Sequence, residues 1–122
     1  MADEILLDIK FQCVNDEAPF PAVRYNQKVD QTGDGVGSCF QLVGDTHEAL
    51  HMGDIANKGI VIITNQSDTE TVDIGIEVAA AFHEFAQILP GETYTWRWHP
   101  DVTPFVQATA ADTRIQITNC EK

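Results

Sequence analysis

Basic residues are what this chain has least of: seven lysines and arginines stand against nineteen aspartates and glutamates, a formal net charge of -12. Binding a phosphate backbone depends on Lys and Arg displacing counterions, so no nucleic-acid partner is expected. The excess acid serves either solubility at high concentration or a partner with a basic face. Long apolar runs are also missing. A bilayer helix needs about 20 apolar residues, whereas the longest strongly apolar stretch, Ile60 to Ile63, is strand-sized, so no membrane partner is expected. The opening Met1-Ala2-Asp3-Glu4 is acidic where an export signal is basic, so the chain is expected to be made in the cytoplasm. Cys13, Cys39 and Cys120 form an odd set without CxxC spacing. That arithmetic supports neither a disulfide framework nor a zinc knuckle, and small buried thiols are the plainer reading. One disulfide beside a free thiol is the alternative. A GxSxG elbow, a phosphate-cradling glycine loop and a dinucleotide fingerprint are likewise absent. No catalytic residues, no cofactor and no metal are expected.

What the chain does have is strand signal from end to end. Ile5, Leu7, Ile9, Phe11 and Cys13 alternate with Leu6, Asp8, Lys10 and Gln12, the period of two of a half-buried strand. Glu17-Ala18-Pro19-Phe20-Pro21 excludes a helix or an inner strand. Val23 to Asp30 alternates again, Thr32 to Gly35 turns the chain, and a strand is expected around Cys39 to Val43. His47 to Met52 reads equally as a short strand or one helical turn. Ile60 to Thr64 is apolar on both faces, as in a strand covered on both sides. Val72, Ile74, Ile76 and Val78 alternate, then Ala79 to Gln87 is the one place for a short helix, given its Ala and Glu content and the three-residue spacing of Phe82 and Phe85. Leu89-Pro90-Gly91-Glu92 has the order of a type II turn, and Thr93–Trp98, Phe105–Thr109 and Arg114–Thr118 complete the strands. Parallel βαβ units need long crossovers that are not here. The expected fold is therefore all-β, an antiparallel β-sandwich (jelly-roll-like) or small barrel, with residues 1–122 as a single domain and at most one short helix.

Three segments invite a functional reading. Asp30-Gln31-Thr32-Gly33-Asp34-Gly35 opens like a calcium loop, yet position twelve is Gln41, which cannot supply the bidentate carboxylate; a hairpin turn is the plainer account. His47-Glu48-Ala49-Leu50-His51 spells HExxH. A zinc site of that kind needs a long helix and a third ligand, while Gly44 and Gly53 bracket the motif and nothing selects His83 or His99. Tyr94, Trp96 and Trp98 share one strand face. Such a stripe is core, a subunit or partner interface, or a sugar-stacking platform.

The second half, Gly59 to Glu121, resembles small all-β structural proteins of tailed-phage virions. The residues that carry the likeness are Gly59 to Asn65, the Gln66-Ser67-Asp68 turn, Val72-Asp73-Ile74-Gly75, Leu89-Pro90-Gly91-Glu92, Thr93 to Trp98, Phe105 to Thr109 and Arg114 to Ile117. The resemblance covers about half the chain and implies a capsid decoration (cement) protein or a related head or tail component. Such a protein is made in the host cytoplasm, ends in the virion, commonly forms a homotrimer, and has the major capsid protein as its partner. The contact surfaces expected on that reading are the Tyr94/Trp96/Trp98 face or the extended N-terminal segment Met1 to Leu7, with Ile5 and Leu7 as its contact residues. A carbohydrate-binding, host-attachment module is the alternative, and a metal-dependent enzyme around His47, Glu48 and His51 is the second.

Overall fold

The computed structural model describes residues 5–13, 20–29, 36–52 and 58–121. The chain divides into two compact units, Met1–Thr32 and Gly33–Lys122. The first unit holds an antiparallel pair, β1 (Ile5–Cys13) and β2 (Phe20–Val29), in register from Ile5 opposite Val29 to Cys13 opposite Phe20, with one irregularity between Leu7 and Ile9. Pro21 sits within β2 opposite Gln12. In a two-stranded ribbon both strands are edges, so its missing N–H is tolerated there.

The second unit contains β3 (Val36–Val43), β4 (Glu48–Ala49), β5 (Lys58–Asn65), β6 (Val72–Val78), β7 (Ala81–Ile88), β8 (Thr93–Arg97), β9 (Phe105–Ala108) and β10 (Thr113–Glu121). They form two four-stranded sheets, β3-β10-β5-β8 and β4-β9-β6-β7, in which every pairing is antiparallel. Counted from β3, the orders are first-eighth-third-sixth and second-seventh-fourth-fifth, which is the jelly-roll arrangement of a sandwich. The fold is thus the all-β antiparallel sandwich expected from the alternating segments, nearly all of which are strands.

Alternation explains the core. Val61 and Ile63 on β5, Ile115 and Ile117 on β10, and Val43 on β3 face Val72 and Ile74 on β6, Val106 and Ala108 on β9, and Ile88 on β7, with Leu50 and Trp98 filling the ends. Full burial of each Val or Ile side chain stabilises the fold by about 1.5–3 kcal/mol. At the end of β5 a buried polar residue takes over. Asn65 Nδ2 donates to Glu70 O (2.7 Å) and Ile88 O (3.1 Å), and its Oδ1 accepts from Ser67 N (3.0 Å). Its main chain also bonds to both Gly91 and Glu92. One residue thus fixes the turn after β5 and the end of β7 through its side chain, and the Pro-Gly turn before β8 through its main chain.

Two expectations need correction. Ala79 to Gln87 is not a helix: Ala79 and Ala80 have φ of 52° and 67°, and Val78 pairs with Ala81 across them. Positive φ at both central residues is the signature of a two-residue type I′ hairpin, whose twist matches the flanking strands. The Phe82/Phe85 spacing has its own cause. Ile74 pairs with Ala86 but Gly75 with Glu84, so Phe85 is an extra residue in β7 and the period of two breaks there. Gly75 allows this bulge, since a Cβ on it would lie 2.3 Å from His83 O and 2.7 Å from Glu84 Cα. The second correction concerns β5. Gly59, Ile60, Val61 and Ile63 are buried, but Ile62 is exposed on the outer face of its sheet, so the strand is not covered on both sides throughout.

Candidate functional site

Strand β8 lies at the end of its sheet and, among the described residues, pairs only with β5, placing Trp96 opposite Val61 and Tyr94 opposite Ile63. Both partners are core residues, so Tyr94 and Trp96 project to the inner side of the sandwich. Their exposure nevertheless rises along the strand. Trp98, just past its end, is 4% exposed and belongs to the core; Trp96 is half-buried; Tyr94 is 43% exposed. Trp96 and Trp98 meet edge to face, ring centroids 5.1 Å apart at 87°. This geometry suits the ring quadrupoles.

An inward-facing tyrosine is exposed because that flank of the sandwich is not closed. Between β7 and β8 lies a cleft of about 340 Å³ lined by Ala86, Gln87, Ile88, Tyr94, Thr95 and Trp96. The Tyr94 hydroxyl donates to Glu92 Oε2 (2.8 Å), whose other oxygen accepts from Leu89 N (2.8 Å). That hydrogen bond, with smaller contributions from burial and from the carboxylate charge, raises the Tyr94 pKa above the ordinary phenol value. The Trp96 Nε1–H is buried and has no partner.

The opposite flank, between β3 and β4, is stitched by one side chain. Gln41 Nε2 donates to Glu48 Oε1 (3.0 Å) and Ala49 O (3.1 Å), and Gln41 Oε1 accepts from His51 N (2.9 Å). This arrangement replaces the helix on which a zinc reading of His47, Glu48 and His51 depended. Glu48–Ala49 is a strand paired with Phe105 and Val106. Glu48 turns to Gln41, while His47 Nε2 lies 2.7 Å from Glu77 Oε2 and its ring stacks on Phe82 at 5.5 Å. Phe105 closes on the same imidazole at 5.9 Å. Of the ambiguous segment only Glu48–Ala49 is strand, and the His47 and Glu48 side chains turn to different partners, Glu77 and Gln41. Among the described residues, no group of three or more His, Cys, Asp or Glu is placed to hold a metal ion.

Of the other sequence-predicted residues, Ile5 and Leu7 lie in β1 opposite Val29 and Gln27, and their side chains fall outside the described residues. The calcium-like segment 30–35 also lies outside them. Cys39 and Cys120 are free thiols, each partly buried, and burial raises the Cys120 pKa above the ordinary thiol value. Sequence reasoning passed over a second surface. Phe40 and Leu42 on β3 and Ile62 on β5 share the outer face of the β3-β10-β5-β8 sheet and are 51%, 60% and 43% exposed. The Arg114 guanidinium stands 4.0 Å over the Phe40 ring. The signal was present in the alternation of Phe40 and Leu42 with Gln41 and Val43, but a two-faced apolar strand does not declare which face is inside.

No family model matches the chain, and no curated protein does. Among solved structures, a chain from Bacillus endospore appendages, described as a novel family of disulfide-linked pili, is similar at a TM-score of 0.42 and 12% identity. The match covers 79% of this chain and 100% of that one.

Proposed function

We propose that this chain is a structural assembly protein, not an enzyme, and that it serves as a capsid decoration (cement) protein of a tailed-phage head. Its partner on this reading is the major capsid protein, it works as a homotrimer, and it ends in the virion after synthesis in the host cytoplasm. The observation that carries the reading is the outer face of the β3-β10-β5-β8 sheet, where Phe40, Leu42 and Ile62 remain exposed. Covering such side chains stabilises a complex by about 1.5–3 kcal/mol each when burial is complete. The Phe40–Arg114 pair adds an aromatic ring and a guanidinium, the groups most often found as interface anchors. The turn and strand motifs from Gly59 to Glu121 support the same reading. The jelly-roll order is compatible with it, although that fold hosts many functions.

Decoration needs no active site. Each copy that binds the assembled shell and not its separated subunits stabilises the shell by linkage, and symmetry repeats one modest patch many times. The test is the copy number of this chain in purified particles of the virus that encodes it, by quantitative peptide mass spectrometry against the shell subunit. A ratio of the same order as the shell protein, lost in the folded Leu42→Asp variant, is the expected result. Absence from the particle overturns the proposal.

A further inference from the structure

We propose that copies of this chain associate front to back, the outer face of the β3-β10-β5-β8 sheet (the front) of one copy docking on the outer face of the β4-β9-β6-β7 sheet (the back) of the next. This goes beyond the decoration reading and does not rest on it. A shell that covers the Phe40/Leu42/Ile62 face displaces the neighbouring copy, so the two partners compete for that face. The first ground is charge, which the sandwich divides between its sheets. The strands of the front sheet hold Lys58, Arg97 and Arg114 and a single carboxylate, Glu121, at the last position of β10 and opposite Lys58. Those of the back sheet hold Glu48, Asp73, Glu77 and Glu84 and not one Lys or Arg.

Alternation sets which of these charges face outward. Arg114 stands opposite the exposed Leu42, and Arg97 is two residues beyond Thr95, which stands opposite the exposed Ile62. Both guanidinium groups are therefore on the front. Asp73 lies between the core residues Val72 and Ile74, and Glu84 stands opposite Gly75, which follows Ile74. Both carboxylates are therefore on the back. Among the described residues neither has a cationic partner: Asp73 meets Gln87 Nε2 at 3.5 Å, and His47 is taken by Glu77. Arg97 likewise has no carboxylate partner among them. A contact between front and back brings these unpaired groups together.

The second ground is the apolar surface beside those charges. Phe40, Leu42 and Ile62 are exposed on the front, and Phe85, 60% exposed, lines a depression of about 370 Å³ on the back with Asp73, Glu84, Ala86 and Gln87. In the docked pair the Phe40 ring and the Arg114 guanidinium over it enter that depression as a unit, ring toward Phe85 and guanidinium toward the carboxylates. The net charge of -12 opposes any pairing of copies. At about 0.1 M salt, however, charges more than about 10 Å apart are largely screened, so the groups at the contact decide. Front and back lie on opposite sides of one sandwich. The contact is therefore heterologous, and each copy that binds leaves a fresh face for the next.

The test is sedimentation velocity of the isolated full-length protein, without virus particles, from about 1 μM to about 1 mM, the range of weak contacts. The expected result is association that rises with concentration and passes the dimer. Leu42→Asp disables the front, and Asp73→Lys with Glu84→Lys disables the back, all at partly or fully exposed positions. Each variant alone should stay monomeric. Mixed in equal amounts they should form a heterodimer and nothing larger, because one intact front meets one intact back; that product also shows that both variants fold. Arg114→Glu should weaken association at least about tenfold, and mixing it with the two-lysine variant should restore it. The proposal is overturned if the parent stays monomeric, if the mixture of disabled chains does, or if Arg114→Glu associates like the parent. It is equally overturned if the two-lysine variant dimerises alone, which would mark a front-to-front contact. That variant keeps the Phe40/Leu42/Ile62 face and should still join particles if the chain decorates a shell, so failure of this inference and failure of the decoration reading are told apart.

Discussion

The two flanks of the sandwich solve the same problem in opposite ways. Where β3 and β4 end their sheets, Gln41 crosses the gap and satisfies a side chain, a carbonyl and an amide on the far side. Where β7 and β8 end theirs, no side-chain hydrogen bond among the described residues crosses between the two strands, and Trp96 and Tyr94 face a cleft. The closed flank is held by a buried polar residue, 3% exposed, whose amide nitrogen donates twice and whose oxygen accepts once. The open flank is held only by what lies on either side of it: the Gly75 bulge that seats β7 and the Asn65 hub that fixes both strand ends. Openness here is a property of side-chain choice, since the strand order gives the two flanks equal opportunity to close.

The largest effect is expected where the open flank is seated. Gly75→Ala places a Cβ against main-chain atoms of His83 and Glu84, which cannot swing aside as a flexible side chain would. A loss of about 3 kcal/mol is expected from such overpacking, read as a lower urea midpoint. The amides of β7 should lose hydrogen-exchange protection before those of β5 and β10. If Gly75→Ala is as stable as the parent, the bulge does not seat β7 by close backbone approach.

A smaller effect sharpens the contrast directly. Gln41→Ala leaves Ala49 O and His51 N without their partners and should cost about 2–3 kcal/mol. Gln87→Ala, on the exposed wall of the open flank, should change stability by less than about 0.5 kcal/mol. Equal effects of the two substitutions, measured by the same denaturant titration, would show that the flanks are not energetically distinct.

Much of this architecture was legible because it rests on period two. Val72 and Ile74, Val61 and Ile63, and Ile115 and Ile117 are inward on their strands as their alternation requires. What stayed hidden depends on contacts between residues far apart in sequence. Nothing near Gln41 announces that its partners are Glu48, Ala49 and His51, and nothing near Gly75 announces that β7 passes at 2.3 Å from where its Cβ would stand. Ala79 to Gln87 misled for a related reason. Local propensity favours a helix there by a few tenths of a kcal/mol per residue, and pairing with the whole length of β6 overrides it. The candidate site was half legible. The stripe Tyr94/Trp96/Trp98 was visible as a stripe, but its division into a core residue, a cleft wall and an exposed ring follows from β8 being an edge, which sequence does not print.

The same hairpin offers the smallest and most specific test. Ala79 and Ala80 occupy positive φ, where the Cβ of an L-residue crowds its own carbonyl at about 1–2 kcal/mol per residue. Asn and Gly are the residues that a type I′ turn prefers at these two places. Neither alanine is buried, so replacing them removes no core contact. Ala79→Asn with Ala80→Gly should therefore stabilise the protein, by about 1–2 kcal/mol after the added chain entropy of glycine is set against the relieved strain. The gain should appear as a higher urea midpoint with an unchanged slope, because the surface exposed on unfolding is the same. A helical segment would respond with the opposite sign, since Asn and Gly are both poorer helix formers than Ala. The direction of the shift thus decides between the hairpin and the helix that local sequence favours, and with it whether β7 is present to form one wall of the open flank.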